Sequence, residues 1–523
     1  MSELQEACQL LTSSPLKPWP ANVGQIVPSD QTSIPVAEEP STTPKSPLTA
    51  KGPWSIPPHL LTIPSLREAA LAAVESGTAA SENPKDFQLV LQHGLNLQEL
   101  VSRLGSSPTD QLSVLHSACE VYKAANDLQN GTNAMIFFNH AVALSDLARL
   151  SKPDSPGEAV EYLSTAAIKY AAAVSLDPNN PQALNNWALT LQEISSLAPP
   201  NERNALLFPA VARFRAAIRL IQADLNLTSR LCYNLGTVLY SHACHMADQL
   251  LGIGTSPSTL ANTSNTSTAA TTVNNQDQHH ASKEKKVRSS FAHAASYIML
   301  ACVLQPGVKI YEDSVLAVQR LLPLPYIRTG LLLVAAPGTA SSPEENWIPA
   351  WFALDGHTLL SIRPPPAEAG RIQGLIPRIA VEVHDVGSVN ICRDPSLPRG
   401  WPIFIGIKNR LQAHQSRVHQ QKEQNDNSKG DSSLRSSTTV RVGRTATGGT
   451  ASRILEEDDT GGIFLIASER EDAEGWVDAL RLLGMIGKSS EHGIERLQEA
   501  LLTRRQRGAA GGAGGAQASS VVV

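Results

Sequence analysis

The sequence predicts an α + β multidomain chain: a solenoid of helix pairs, then a small β-rich barrel closed by a C-terminal helix, with disordered tails and insertions. Three observations predict it. From about 65 to 321, Ala and Leu recur at i, i+3 and i+4, the period of one helix face. Inside that stretch a pattern of Ala, three residues, a large apolar residue, two residues and Ala returns several times, which marks a repeat. From about 326 to 468 the chain turns to short β-branched and aromatic runs between Pro and Gly turns.

Composition bounds the function. The chain has 523 residues, 42% of them apolar, enough for two or three domains with a sizeable core. Charged residues make up 17% and the net charge is -5, which argues against a nucleic-acid binder acting through bulk charge. Six cysteines lie far apart with no CxxC pair, so neither a zinc ribbon nor a dithiol redox motif is expected. The opening MSELQEACQLLTSSPLKPWP lacks a charged segment followed by an apolar one, so no secretory leader is expected. No run of eighteen apolar residues occurs, and no membrane span is expected.

Taken in order, residues 1–63 are rich in Pro, Ser and Thr and are expected to form a disordered tail. Residues 64–322 carry the helical repeats, with a disordered insertion at 252–288. Residues 323–487 form the β module, with a second insertion at 411–455, and 488–523 hold a short helix and a Gly/Ala tail. The repeat is clearest where Ala166, Tyr170 and Ala173 share one helix face and Asp177-Pro178 closes the helix. The next pair has Trp187 on its first helix and Ala210, Phe214 and Ala217 on its second. Then come Leu235-Gly236 in YNLGTVLY and, past the insertion, Ala294, Ile298 and Ala301, closed by Gln305-Pro306. Upstream, Phe137, His140, Ala141 and Leu144 make a first helix. Before it, Val90, His93, Gly94 and Leu97 pair with Ala118, Tyr122 and Ala125.

Two antiparallel helices approach closely only where Ala or Gly sits at the crossing, and the large residue opposite fills the space. Pro ends the second helix because it lacks an N–H and clashes with the preceding turn. No pair buries its own face, so stacking is required. On this reading Tyr170, Ala173, Pro178, Trp187, Phe214, Gly236 and Pro306 are structural positions. These units resemble tetratricopeptide repeats, although His93 and His140 stand where that family has Trp. His242-Ala-Cys244-His245 has metal-ligating residue types, but a helix surface is the expected place for it.

Seven strands are expected, at about 327–335, 347–354, 357–363, 377–384, 386–392, 401–407 and 461–467. The closing helix SEREDAEGWVDALRLL starts with Ser and acidic residues, which suits a helix N-terminus. Trp476, Ala479, Leu480 and Leu483 form its apolar face. Seven strands capped by such a helix, the hairpin WFALDGHTLLSI and the helix Trp476 resemble a pleckstrin-homology-like barrel. Lipid-binding members of that family need basic residues around the first hairpin. Here the loop is GTASSPEENWIP, Trp351-Phe352 replaces the expected Arg, and only Arg328 is near.

The segments ALNNWALTLQE, RFRAAIRL, YNLGTVLY and LLPLPYIRTG resemble the plant family of tetratricopeptide proteins named for hypersensitivity to latrunculin B. That resemblance implies a non-enzymatic scaffold in endomembrane vesicle traffic, in the cytoplasm and peripheral on the trans-Golgi network and early endosome. It implies actin filaments and an ARF guanine-nucleotide exchange factor as partners. The charge balance and the lack of nucleotide- or metal-binding motifs lead us to expect no nucleic acid, cofactor or metal. Two rivals stand beside it. A chaperone-type adaptor would clamp acidic C-terminal peptides on inner helix faces, where Asn139, Asn186 and Asn234 recur as protein-binding candidates without the usual Lys or Arg. A phosphoinositide-binding effector would act through the β module.

Overall fold

The computed structural model describes residues 55–514 except 106, 222–223, 252–271, 336–346, 364–378, 393–396, 409–461 and 490–491. Among them are ten helices, a seven-stranded antiparallel sheet and two closing helices. The helices are α1 (Arg67–Glu82), α2 (Phe87–Arg103), α3 (Pro108–Leu128), α4 (Ala134–Ser151), α5 (Pro156–Leu176), α6 (Pro181–Leu197), α7 (Pro200–Leu220), α8 (Leu225–Leu251), α9 (Thr272–Leu304) and α10 (Lys309–Val318). The chain forms two compact units that part between Ala294 and Ala295, within α9.

Local chemistry sets the helix starts in the first unit. Asp86 accepts from the N–H of Gln88 and Leu89 at the head of α2, Asn133 caps α4, and Asn180 caps α6. Helices α3, α5, α6 and α7 begin at proline, whose missing N–H costs nothing in the first turn. From α1 to α8 each helix packs on the one before it. In addition α2 touches α4, α4 touches α6 and α6 touches α8, so the first helices of the pairs make one layer.

The crossings follow the small-against-large rule. Ala118, Ala125, Ala166, Ala173, Ala210 and Ala217 are buried, with Tyr122, Tyr170 and Phe214 between them. At the α2–α3 crossing a Cβ on Gly94 would lie 2.7 Å from the Tyr122 ring. Pro178 and Pro306 lie just beyond the ends of α5 and α9, and Trp187 and Gly236 are buried on α6 and α8. Two differences from the sequence reading stand out. α1 precedes the first expected pair. α9 already runs from Thr272, so residues 272–288 are helical although their polar composition placed them in the insertion. The stretch Ser282–Leu304 is long and apolar enough to cross a membrane, but 78% of its most apolar window is buried in the fold, as in a core helix.

In the second unit the strands are β1 (Arg328–Ala335), β2 (Trp347–Leu354), β3 (Thr358–Ile362), β4 (Ala380–Glu382), β5 (Val386–Ile391), β6 (Trp401–Ile407) and β7 (Gly462–Ala467). They are followed by α11 (Arg470–Ser489) and α12 (Gly493–Gly514). The sheet order is β4-β3-β2-β1-β7-β6-β5. The expected barrel is corrected here: among the described residues no ladder joins β4 to β5, so the sheet is open. Laid flat, six strand spacings would separate those edges by about 29 Å. Only the turn Val383–Asp385 connects them, a reach of about 14 Å, so the sheet must curl strongly. Helix α11 packs on β5, β6, β7 and that turn. It buries Trp476, Leu480 and Leu483 against a core that includes Phe352, Ile403 and Leu465.

The end of α9 belongs to this second unit. Ser296 Oγ donates to the Ile327 carbonyl at 2.6 Å, and the Tyr297 hydroxyl donates to Asp478 Oδ2 on α11 at 2.7 Å, both in buried surroundings.

Candidate functional site

The helix layer α2–α4–α6–α8 carries the residues expected to bind a partner. Asn139 lies on α4, Asn186 on α6 and Asn234 on α8, and each is at least nine-tenths buried. They form part of a polar seam. Asn234 Nδ2 donates to Asn185 Oδ1 at 3.0 Å, and Asn185 Nδ2 donates to Asn186 Oδ1 at 3.0 Å. Burial pushes up the pKa of the neighbouring Tyr170 phenol, and the Ser145 hydroxyl opposes that shift. One pair earlier, the Tyr122 hydroxyl donates to Gln98 Oε1 at 2.5 Å, and Gln98 Nε2 donates to the Asn139 carbonyl at 3.1 Å.

The seam therefore fastens neighbouring helix pairs to each other. A buried amide left unsatisfied is costly, so each fulfilled bond also fixes register. Asn186 and Asn234 are almost fully buried, which leaves an acidic peptide no amide clamp to reach at those two positions. Asn139 Nδ2 and both ends of the Gln182 amide are buried without a hydrogen-bond partner among the described residues. Asn186 Nδ2 and Gln192 Oε1 on α6 are buried in the same way, so donor and acceptor capacity is left over at several points of the layer. Gln182, Asn185 and Gln98 were not expected from sequence, where an amide on a helix reads as surface.

A second polar group is drawn from α7, α8 and α9. His242 is buried and meets the half-exposed Phe208 edge-on at 5.1 Å between ring centres. Burial, then His245 and Lys286, push its pKa down to about 4. No group of three or more His, Cys, Asp or Glu among the described residues is placed to hold a metal.

In the β module Arg328 is only 3% exposed and lies 5.1 Å from the Trp476 ring centre. Its Nη2 donates to the Asp472 carbonyl at 3.1 Å, with the Asp472 carboxylate at 3.4 Å. A side chain on Gly475 would collide with the guanidinium. Arg328 is thus a packed cation, not one available to a lipid headgroup. The first-hairpin loop with Glu344 and Glu345 lies outside the described residues.

A cleft of about 220 Å³ opens in the same unit between the β2–β3 turn, the β4–β5 corner, Lys408, the last two turns of α11 and the first turn of α12. His357, His384, Lys408, Lys488 and Glu495 line it. Comparison of the chain with protein-family models, with curated proteins and with solved structures finds no match in any of the three.

Proposed function

We propose that this chain is a non-enzymatic interaction scaffold, built as a tetratricopeptide-like solenoid followed by a pleckstrin-homology-like module. It works in the cytoplasm at endomembranes of the trans-Golgi network and early endosome, where it links vesicle traffic to actin filaments and to an ARF guanine-nucleotide exchange factor. The observation that carries the reading is the continuous layer of first helices α2–α4–α6–α8, built on alternating small and large crossing residues. Such a layer offers an extended partner successive equivalent positions, which suits recognition of a helix or peptide more than chemistry on a small molecule. The trafficking assignment rests on the segments that resemble the latrunculin-hypersensitivity family.

The test uses the full chain. Actin co-sedimentation is measured beside capture of an ARF exchange factor from a defined mixture. Binding to either supports the reading. Binding to neither, with the protein remaining diffuse in cells given an actin poison, removes it.

A further inference from the structure

The cleft beside α11 combines a cationic rim with two glycines that no packing constraint explains. A Cβ on Gly484 would meet no atom within 4 Å, and one on Gly487 would make only an ordinary contact of 3.7 Å with Ile494. Neither glycine has a positive φ. Glycine destabilises a helix interior, and here neither sterics nor backbone geometry calls for it. Both glycines line the cleft. What their missing side chains accomplish is to keep that space empty.

The rim points to the occupant. Lys408 Nζ donates to the His384 carbonyl, which fixes the ammonium at the mouth with further N–H groups to spare. Lys488 comes from α11 and His357 from the β2–β3 turn, so nitrogen donors arrive from three separate elements. The first turn of α12 adds Ile494 and Glu495, positions whose N–H groups fall outside a helix's own ladder. Donors drawn from several elements around one cleft suit a tetrahedral oxyanion. A planar carboxylate would be better matched by an arginine fork, and the lining has no arginine. The Glu495 carboxylate limits how much negative charge the cleft accepts, and Val383, Val386, Leu483 and Ile494 supply an apolar wall.

We infer that this cleft binds a single phosphate monoester group on a small polar moiety, carried either by a lipid headgroup or by a free metabolite. The site lies at the opposite end of β2 from the β1–β2 connection, so it is separate from the first-hairpin loop. It does not depend on the scaffold reading, and either can fail alone.

The test titrates the full chain with inorganic phosphate, with inositol 1-phosphate, and with phosphatidylcholine vesicles containing or lacking phosphatidylinositol 4-phosphate. Binding to at least one phosphate-bearing probe is expected. Soluble probes alone identify a free metabolite, and vesicles alone a headgroup. Gly484→Leu, whose Cβ meets no atom within 4 Å, puts an apolar side chain into the cleft and should weaken binding at least tenfold while melting no lower than the parent. Lys408→Ala combined with Lys488→Ala should weaken it similarly. The inference is overturned if no phosphate-bearing probe binds, or if both variants bind as the parent does.

Discussion

Replacing Gly94 with alanine tests the helix-pair packing most directly. The added methyl would sit 2.7, 3.0 and 3.2 Å from three carbons of the Tyr122 ring, which is itself fully buried. Relief requires the ring to retreat by roughly 1 Å from a close-packed setting. Its hydroxyl is held by Gln98 at 2.5 Å, so retreat also loosens that bond. Overpacking of this kind costs about 1–3 kcal/mol. Alanine in place of glycine returns about 1 kcal/mol of helix propensity. The net expectation is a loss of about 1 kcal/mol. Gly157, in the first turn of α5 with no atom near its would-be Cβ, is the control, and Gly157→Ala should leave stability unchanged or slightly raised. Urea unfolding followed by circular dichroism gives each value. Adding Tyr122→Leu removes the obstacle, so the two substitutions should couple favourably by about 1 kcal/mol in a double-mutant cycle. If Gly94→Ala stabilises as the propensity term alone demands, or shows no coupling to Tyr122, the small-against-large account of the crossing is wrong.

Three further outcomes are expected. Because the folded state holds the His242 pKa at about 4 against an ordinary 6.5, the unfolded chain binds more protons between those values, so stability should fall as pH drops, by up to about 2 kcal/mol between pH 7 and pH 5. His242→Gln should flatten that slope, and an unchanged slope in unfolding midpoints would contradict it. Tyr297→Phe strips a donor from the buried Asp478 carboxylate and should cost about 2 kcal/mol, while Tyr297→Phe with Asp478→Asn should recover part of it; equal stability of parent and single variant would show the bond to be idle. Gly475→Ala should destabilise the β module by about 2 kcal/mol or more by displacing the Arg328 guanidinium from Trp476, seen as a changed near-ultraviolet tryptophan signal, and an unaltered spectrum would refute the packed-cation reading.

The helix pairs were legible because their crossing residues recur: Tyr122, Tyr170 and Phe214 each stand between two buried alanines. The strands were legible to within a few residues, because β-branched runs between turns leave few alternatives. Helix α1 escaped notice as a separate element because its buried side is Ala69, Ala70, Ala73, Gly77 and Ala80, which gives little hydropathy contrast. The open sheet was not readable, since closure depends on whether β4 and β5 form a ladder across their corner. The seam was misread for a physical reason. Asn186 and Asn234 are polar side chains on helices, and only the packed neighbours reveal that both are buried and linked through Asn185. The cleft gathers short groups of residues, from Gly356 to Glu495, that lie far apart along the chain.

The bond between Tyr297 and Asp478 bears on how this protein can be cut and recombined. Composition suggests a seam near residue 323, where helical sequence gives way to strands. A fragment beginning there would carry Asp478 in its interior and leave Tyr297 behind, together with the Ser296 hydroxyl that accompanies the start of β1. The portable piece is therefore longer than the sheet and its helix, and gene rearrangement that exchanged β modules would have to move the last turns of α9 with them.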